Sequence, residues 1–200
     1  MQALESLLKE RDFDQISVAE IAATAGVSTG LLYAHFKNKA EFLDALLTEY
    51  YARVLERIEV AESSDTTEIY RKIGSLREAL RWIAKSTYDQ THSDVHLIRA
   101  LSFYLRTRPE PVRLKWRALR SRAAMTIESV LDAYPVANRH HEELAKGMLV
   151  YFFNSIYAVV LRADDVELET IDAAILTREI GDMAYGYLKL YAENRDIEQG

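Results

Sequence analysis

The chain has no cysteine. That removes disulfides, thiolate nucleophiles, iron–sulfur clusters and cysteine-ligated zinc together, and suits a reducing compartment. Only 3 prolines and 7 glycines occur in 200 residues, and the prolines are confined to positions 109, 111 and 135. Few obligatory helix breaks exist in either half, so an all-α fold is expected. Also missing are a charged-then-apolar leader and an unbroken apolar run of the roughly 18 residues that a membrane span needs. The expected protein is soluble and cytoplasmic. An excess of positive charge is missing as well: the net charge is −6, whereas a nucleic-acid binder is ordinarily basic.

Catalytic signatures are equally scarce. There is no Gly-rich phosphate loop, no Gly-x-Ser-x-Gly elbow and no His-Glu-x-x-His. Asp164 and Asp165 sit at an expected helix end, where solvation explains them. His92 and His96 are four apart and would share a face if one helix spanned both, but no third ligand comes at a diagnostic spacing; an exposed pair is the simpler reading. His140 and His141 are adjacent. No enzyme, catalytic residue, metal site or cofactor is assigned.

What the sequence does contain is helix-type spacing of apolar residues almost from end to end. Turn signals cut it into about nine helices, near 2–11, 18–24, 29–35, 39–61, 66–91, 94–107, 110–133, 139–162 and 168–192. Leu4, Leu7 and Leu8 point inward from the first. Ser17 caps the second, with Glu20 three residues on in a capping-box pattern, and Gly26 ends it. Ser28 caps the third. Asn38 caps the fourth, where Phe42, Leu43, Leu46, Leu47, Tyr50, Val54 and Ile58 recur at helical steps. The run Glu62-Ser63-Ser64-Asp65 breaks that pattern.

The last two helices are unusual. Met148 to Leu161 is apolar on nearly every side, so that helix must be covered on more than one face. The final helix carries a stripe of Ile171, Ala174, Ile175, Met183, Ala184, Tyr187, Leu188 and Tyr191. Its Gly181 and Gly186 cost helix propensity but allow close approach of a neighbour. A subunit interface accounts for both.

Residues 18–37 meet the constraints of a helix-turn-helix. Ala22 is small where two helices cross, Gly26 sits where the turn needs positive φ, and Ile21, Val27 and Leu32 point inward. With Gly30, Tyr33, His35, Phe36 and Lys39 following, the stretch SVAEIAATAGVSTGLLYAHFKNKAEFLDALL, Ser17 to Leu47, resembles the tetracycline-repressor-like (TetR) family of bacterial transcriptional regulators. The resemblance covers about the first quarter of the chain. It implies an all-α homodimer with a DNA-binding domain over residues 1–46 and a ligand-binding and dimerisation domain over 47–200. The fourth helix joins the two, and the last two helices form the dimer. Two recognition helices would enter successive major grooves of a palindromic double-stranded operator, and a small-molecule inducer would release them. The family is mostly one of repressors.

Carried over residue by residue, Ser17 and Ser28 would meet phosphates at helix starts. Thr29, Gly30 and Leu31 would lie against base edges, with Tyr33, His35 and Lys39 on the backbone. Each has a plainer role: the serines cap their helices in any case, and Leu31 and Tyr33 can simply pack. Thr29 stands where the family is often basic and Leu31 where Thr is frequent, so readout by hydrogen bonds is thin. Asp12 replaces a usual turn glycine and tolerates a left-handed conformation. The chain starts directly on its first helix, without the basic arm that many members place in the minor groove.

Charge divides by segment. Residues 1–60 carry six basic against ten acidic side chains, a net −4, whereas residues 99–122 carry eight basic side chains against Glu110 alone, a net +7. That basic segment is either a solvated face or a rim that steers an anionic inducer, such as a carboxylate or a coenzyme A thioester. Trp82, Tyr88, Phe103, Tyr104, Trp116, Phe153 and Tyr157 are candidates for lining its site, each of them equally suited to a core. Asn154 is polar within an apolar run, and a buried amide there needs a partner. The other class kept open is a helical protein-interaction module that has lost DNA binding.

Overall fold

Local signals place the first breaks. Ser17 closes a full capping box with Glu20, and Gly26 ends the following helix at φ 69°. Ser28 and Asn38 cap the next two helices by accepting from Leu31 N–H at 3.2 Å and Glu41 N–H at 3.1 Å. The computed structural model describes residues 1–63, 66–134, 139–161 and 172–193. Pro135, the His140 and His141 side chains, Asp164, Asp165, Ile171 and the Tyr191 side chain lie outside the described residues.

Among the described residues the chain is helical without strands. The helices are α1 (Gln2–Leu8), α2 (Val18–Ala25), α3 (Thr29–His35), α4 (Lys39–Ser63), α5 (Thr66–Ile73), α6 (Leu76–Ser93), α7 (Val95–Arg106), α8 (Glu110–Glu128), α9 (Val130–Ala133), α10 (Arg139–Leu161) and α11 (Ala173–Glu193), with a short 3-10 turn at Phe13–Gln15. Two expected helices are each divided. Gly74, at φ 95°, separates α5 from α6, and Ser75 restarts the chain by accepting from Glu78 N–H at 3.3 Å. Near Ser129 the Thr126 carbonyl accepts from Ser129 Oγ at 2.6 Å and Tyr70 Oη at 3.1 Å. Those bonds compete with the helical ladder and set α9 apart from α8. Asp12 is not left-handed: it is extended at φ −68° and ψ 153°, because the 3-10 turn that follows supplies the reversal.

Two compact units form, and neither is continuous in sequence. One comprises residues 1–57 and 94–118, the other 58–93 and 119–200. The core of the first is Leu4, Leu7, Leu8, Ile16, Ile21, Phe42, Leu43, Leu46, Leu47, Tyr50, Leu97 and Trp116. In it Trp116 lies edge-on to Tyr51, with centroids 5.1 Å apart. The second unit packs α6 on α10 and α11, and α5 on α9. Tyr134 Oη donates to the Tyr70 carbonyl at 3.1 Å across the latter contact.

The α6–α11 contact is a backbone approach. A Cβ built on Gly181 would stand 2.7 Å from Arg81 Cα, whereas Gly186 has nothing within 4 Å, so only the first glycine has the expected purpose within one chain. Beside it, Asp182 accepts from Arg81 Nε and Nη2 at 2.7 Å each and from Arg77 Nε at 3.1 Å.

Helix α10 corrects two expectations. Glu142–Leu161 has a mean hydropathy of 1.6 and is long and apolar enough to cross a membrane by length and composition, although Glu142, Glu143 and Lys146 precede its apolar run. It buries Ala145, Leu149, Phe153, Ile156 and Val160 as one stripe. Asn154 is not a buried amide: it is exposed on the opposite face with Tyr151, Ser155 and Ala158.

Gly181→Ala should therefore cost about 1–3 kcal/mol through overpacking against the α6 backbone. In urea unfolding the midpoint is expected to fall with the slope unchanged.

Candidate nucleic-acid interface

Helix α2 is fixed at its start by a charged cap. Ser17 N–H donates to Glu20 Oε2 at 2.7 Å, Ser17 Oγ–H does the same at 2.7 Å, and Glu20 N–H returns to Ser17 Oγ at 3.2 Å. Arg11 Nη1 holds the other carboxylate oxygen at 2.7 Å. The Ser17 hydroxyl and main chain, with the Arg11 guanidinium, push the Glu20 carboxyl down to about 2. Ser17 is thus at a helix start as expected, but its hydroxyl is already committed to a neighbouring carboxylate.

The turn that follows depends on glycine. At Gly26 the chain enters the left-handed region, Gly26 N–H returns to the Ala23 carbonyl at 3.1 Å and Val27 N–H to that of Ala22 at 3.0 Å. This Schellman closure would be strained by any side chain. Ile21 and Ala22 are buried beneath it, and Val27 and Leu32 are half-buried.

Helix α3 has no fully buried residue. It is anchored by Leu32 and by Phe36, whose ring lies 4.3 Å from that of Phe42. Ser28, Thr29, Gly30, Leu31, Tyr33 and His35 are all exposed. Leu31 at 48% and Tyr33 at 53% exposure are not core residues, so the packing explanation for them fails within one chain. A short, capped helix with a small residue at Gly30 and apolar and polar side chains turned outward offers a groove-sized surface.

The cations are distributed differently from expectation. Lys39 is half-buried: its ammonium donates to the carbonyls of Phe13 and, at 3.2 Å, Asp14, and lies 4.4 Å from the centre of the Phe13 ring. Burial pushes its pKa down. In this position it ties the start of α4 to the 3-10 turn. Lys37, which sequence reasoning did not single out, is exposed directly after α3. Its N–H donates to the Glu41 carboxylate at 2.8 Å; a cation just before the Asn38 cap was the signal that would have found it.

Behind the pair, α1, α4 and α7 share a polar cluster. Arg53 donates to Glu5 from both terminal nitrogens at 3.3 and 3.1 Å, and Arg57 meets Asp94 at 2.7 Å. His96, only 7% exposed, has Nε2 3.5 Å from Glu5, and burial holds its pKa below the ordinary value, the Glu5 carboxylate offsetting only part of this. His96 is therefore not half of an exposed pair. His92 ends α6, stacked on Tyr88 at 5.6 Å, while His96 opens α7.

The aromatic candidates divide between the two units. Phe103, Tyr104 and Trp116 belong to the first, and Trp82, Tyr88, Phe153, Asn154 and Tyr157 to the second. Trp116 and Phe153 are core residues, Tyr88 and Tyr104 are half-buried, and Trp82, Phe103 and Tyr157 are exposed. Burial and the Asp44 carboxylate push the Tyr104 hydroxyl up to about 12.

A crossed helix pair closed by a left-handed glycine, with the second helix turned outward, defines a helix-turn-helix unit of the DNA-binding class. Residues 1–46 match the family model for bacterial regulatory proteins of the tetR family, so this unit is similar to the DNA-binding part of those regulators. The chain is 32% identical over 80 residues to the HTH-type transcriptional regulator TtgR of Pseudomonas putida, covering 40% of this chain and 37% of TtgR. It is 36% identical over 59 residues to the fatty acid metabolism regulator protein of Bacillus subtilis, covering 30% of each. The chain thus matches about a third of the length of these curated relatives. The whole fold is similar to that of FadR from Bacillus subtilis, solved in complex with stearoyl-CoA, with a TM-score of 0.59 at 20% identity over 92% of this chain and 96% of that one. FadR from Bacillus halodurans gives a TM-score of 0.60 at 20% identity over 92% of each chain.

The depressed Glu20 carboxyl sets a pH dependence. A lowered folded-state pKa contributes stability above the ordinary carboxylate range and loses it as pH falls from 4.5 towards about 2. Wild type should exceed Glu20→Gln in urea midpoint at neutral pH, and the gap should close across that acidic window.

Proposed function

We propose that the protein is a ligand-released transcriptional repressor of the cytoplasm. It binds a palindromic operator as a homodimer, with residues 1–46 as the DNA-binding domain and 47–200 serving ligand binding and dimerisation. The observation that carries this reading is the outward face of α3. Thr29, Gly30 and Leu31 meet base edges, while Tyr33, His35 and the helix starts at Ser17 and Ser28 meet the backbone. Lys37 joins Lys39 as the cation at the start of α4. Half-sites with centres about 34 Å apart, or a multiple, let both α3 helices dock.

Dimerisation is supported by the uncovered faces of α10 and α11. Leu144, Tyr151, Tyr157, Ile175, Met183 and Leu190 are exposed on the single chain, and an apolar surface of this kind marks an interface. Tyr151, at 69% exposure, is the most open of them. A second copy of the same helices, rather than lipid, suits Asn154 and Ser155 on the same side.

Gly30→Asp should weaken operator binding about a hundredfold or more, because a carboxylate would face phosphates and like charges in an interface cost several kcal/mol. A Cβ at Gly30 meets only Ser28 Oγ, at 3.9 Å, so helicity and dimer mass are expected to stay as in wild type. Unchanged affinity in fluorescence anisotropy would refute the assigned groove face.

The inducer we propose is a long-chain acyl thioester or a related anionic lipid. The basic segment 99–122 supports an anionic ligand, and stearoyl-CoA is the ligand named for the Bacillus subtilis neighbour. At a hundredfold excess over Kd, binding contributes about 2.7 kcal/mol, or about 5–10 °C in Tm for a chain this long. Thermal shift with acyl-CoA and fatty-acid panels tests it; stabilisation by neutral aromatics alone would exclude an anionic inducer.

A further inference from the structure

The basic segment does not balance the acidic remainder of the chain at large. Residues 1–57 carry six basic and nine acidic side chains, and residues 94–118, which fold into the same unit, carry six basic and two acidic ones, so that the unit as a whole is at +1. The helix-turn-helix is therefore folded together with the most basic stretch of the sequence.

Within this unit the placement of that stretch is set by three contacts. Arg108, in the turn between α7 and α8, meets Asp44 at 2.9 Å and lies 4.3 Å from the centre of the Tyr104 ring. Further along, Trp116 packs on Tyr50 and Tyr51, and the Lys115 ammonium lies 4.1 Å from the centre of the Tyr51 ring. Contacts advance together along α4 and α8, so the two helices run in the same direction, and the α7–α8 corner stands at the end of α4 that follows directly on α3. Asp44 is within the second turn of α4, close behind Lys37 and Lys39.

The corner is exposed and cationic. On α7, Arg99, Phe103 and Arg106 follow at four- and three-residue steps and so share a face; Phe103 and Arg106 are exposed. On α8, Arg113, Leu114 and Arg117 are exposed; Glu110 is paired with Arg113 and lies 4.0 Å from Arg117, while Asp44 is engaged by Arg108. A surface ion pair of this kind is worth little and is readily exchanged for a phosphate.

We propose that the α7–α8 corner, through Arg106, Arg113 and Arg117, is a second contact with the DNA backbone, on phosphates flanking the sequence read by α3. It rests on the operator-binding reading above. The partner is a duplex polyanion at the end of the unit where the recognition helix already faces outward. The contact carries no base information, adds to affinity and makes it more dependent on salt.

The test uses the full chain and duplexes selected by it from a random pool, in two lengths: just spanning both half-sites, and extended by one helical turn on each side. Wild type should bind the extended duplex about tenfold more tightly and with a steeper salt slope. Arg106→Gln/Arg113→Gln should retain wild-type binding to the short duplex but lose that gain, and its slope on the extended duplex should fall by about 3–4, at about 0.9 per lost phosphate contact over the four cations removed per dimer. Equal affinity of wild type for both lengths, or a gain kept by the variant, overturns the proposal. Loss in the variant of binding to phosphatidylglycerol vesicles, with duplex binding unchanged, overturns it in favour of a lipid surface. Absence of wild-type binding to any selected duplex defeats the operator reading itself, an outcome distinct from a retained gain.

Discussion

Helix α4 is the element on which the N-terminal unit depends, and charged contacts fix what meets it and where. The Lys39 ammonium on the Phe13 and Asp14 carbonyls, Asp44 on Arg108, Arg53 on Glu5 and Arg57 on Asp94 follow one another along its length. Exposed ion pairs contribute at most about 1 kcal/mol each, so cohesion comes from burying Leu46, Leu47, Tyr50 and Trp116. The charged contacts decide the register: α1 is set by Arg53, the start of α7 by Arg57 and the start of α8 by Asp44. One helix thereby holds both the helix-turn-helix and the segment that offsets its acidity.

That arrangement changes what the net charge of −6 means. Counted along the sequence, the helix-turn-helix looks too acidic for a polyanionic partner. Counted by what folds together, its unit is nearly neutral, and the acidic excess lies in the other unit. Electrostatic attraction follows local arrangement within roughly a Debye length, about 8–10 Å at physiological salt. A total over the chain was the wrong average.

Much of the helix-turn-helix was legible because its determinants are local. Ser17 with Glu20, Gly26, Ser28 and Asn38 act within a few residues of themselves, and each is found in its expected position. The Gly74-Ser75-x-x-Glu78 break was equally local and readable, but the apolar pattern on either side hid it. What depends on distant partners could not be read. Nothing near Asn154 in sequence shows which side of α10 is covered, nothing near Lys39 shows that its ammonium meets carbonyls of the 3-10 turn, and nothing near His96 reveals Glu5. Trp116 and Phe103 look alike as helical aromatics; only Tyr50 and Tyr51 across the core distinguish the buried one from the exposed one.

The bonds that shape α2 and α3 all close within nine residues, from Arg11–Glu20 to the Ser28 cap. The shape of the pair is therefore set almost entirely by its neighbours in sequence. Its attachments are long-range and few. Genetically this predicts two separable classes of lesion: changes near the glycine turn and caps disturb the helix pair itself, whereas changes at Glu5, Asp44 or their arginines disturb how its unit is held around it.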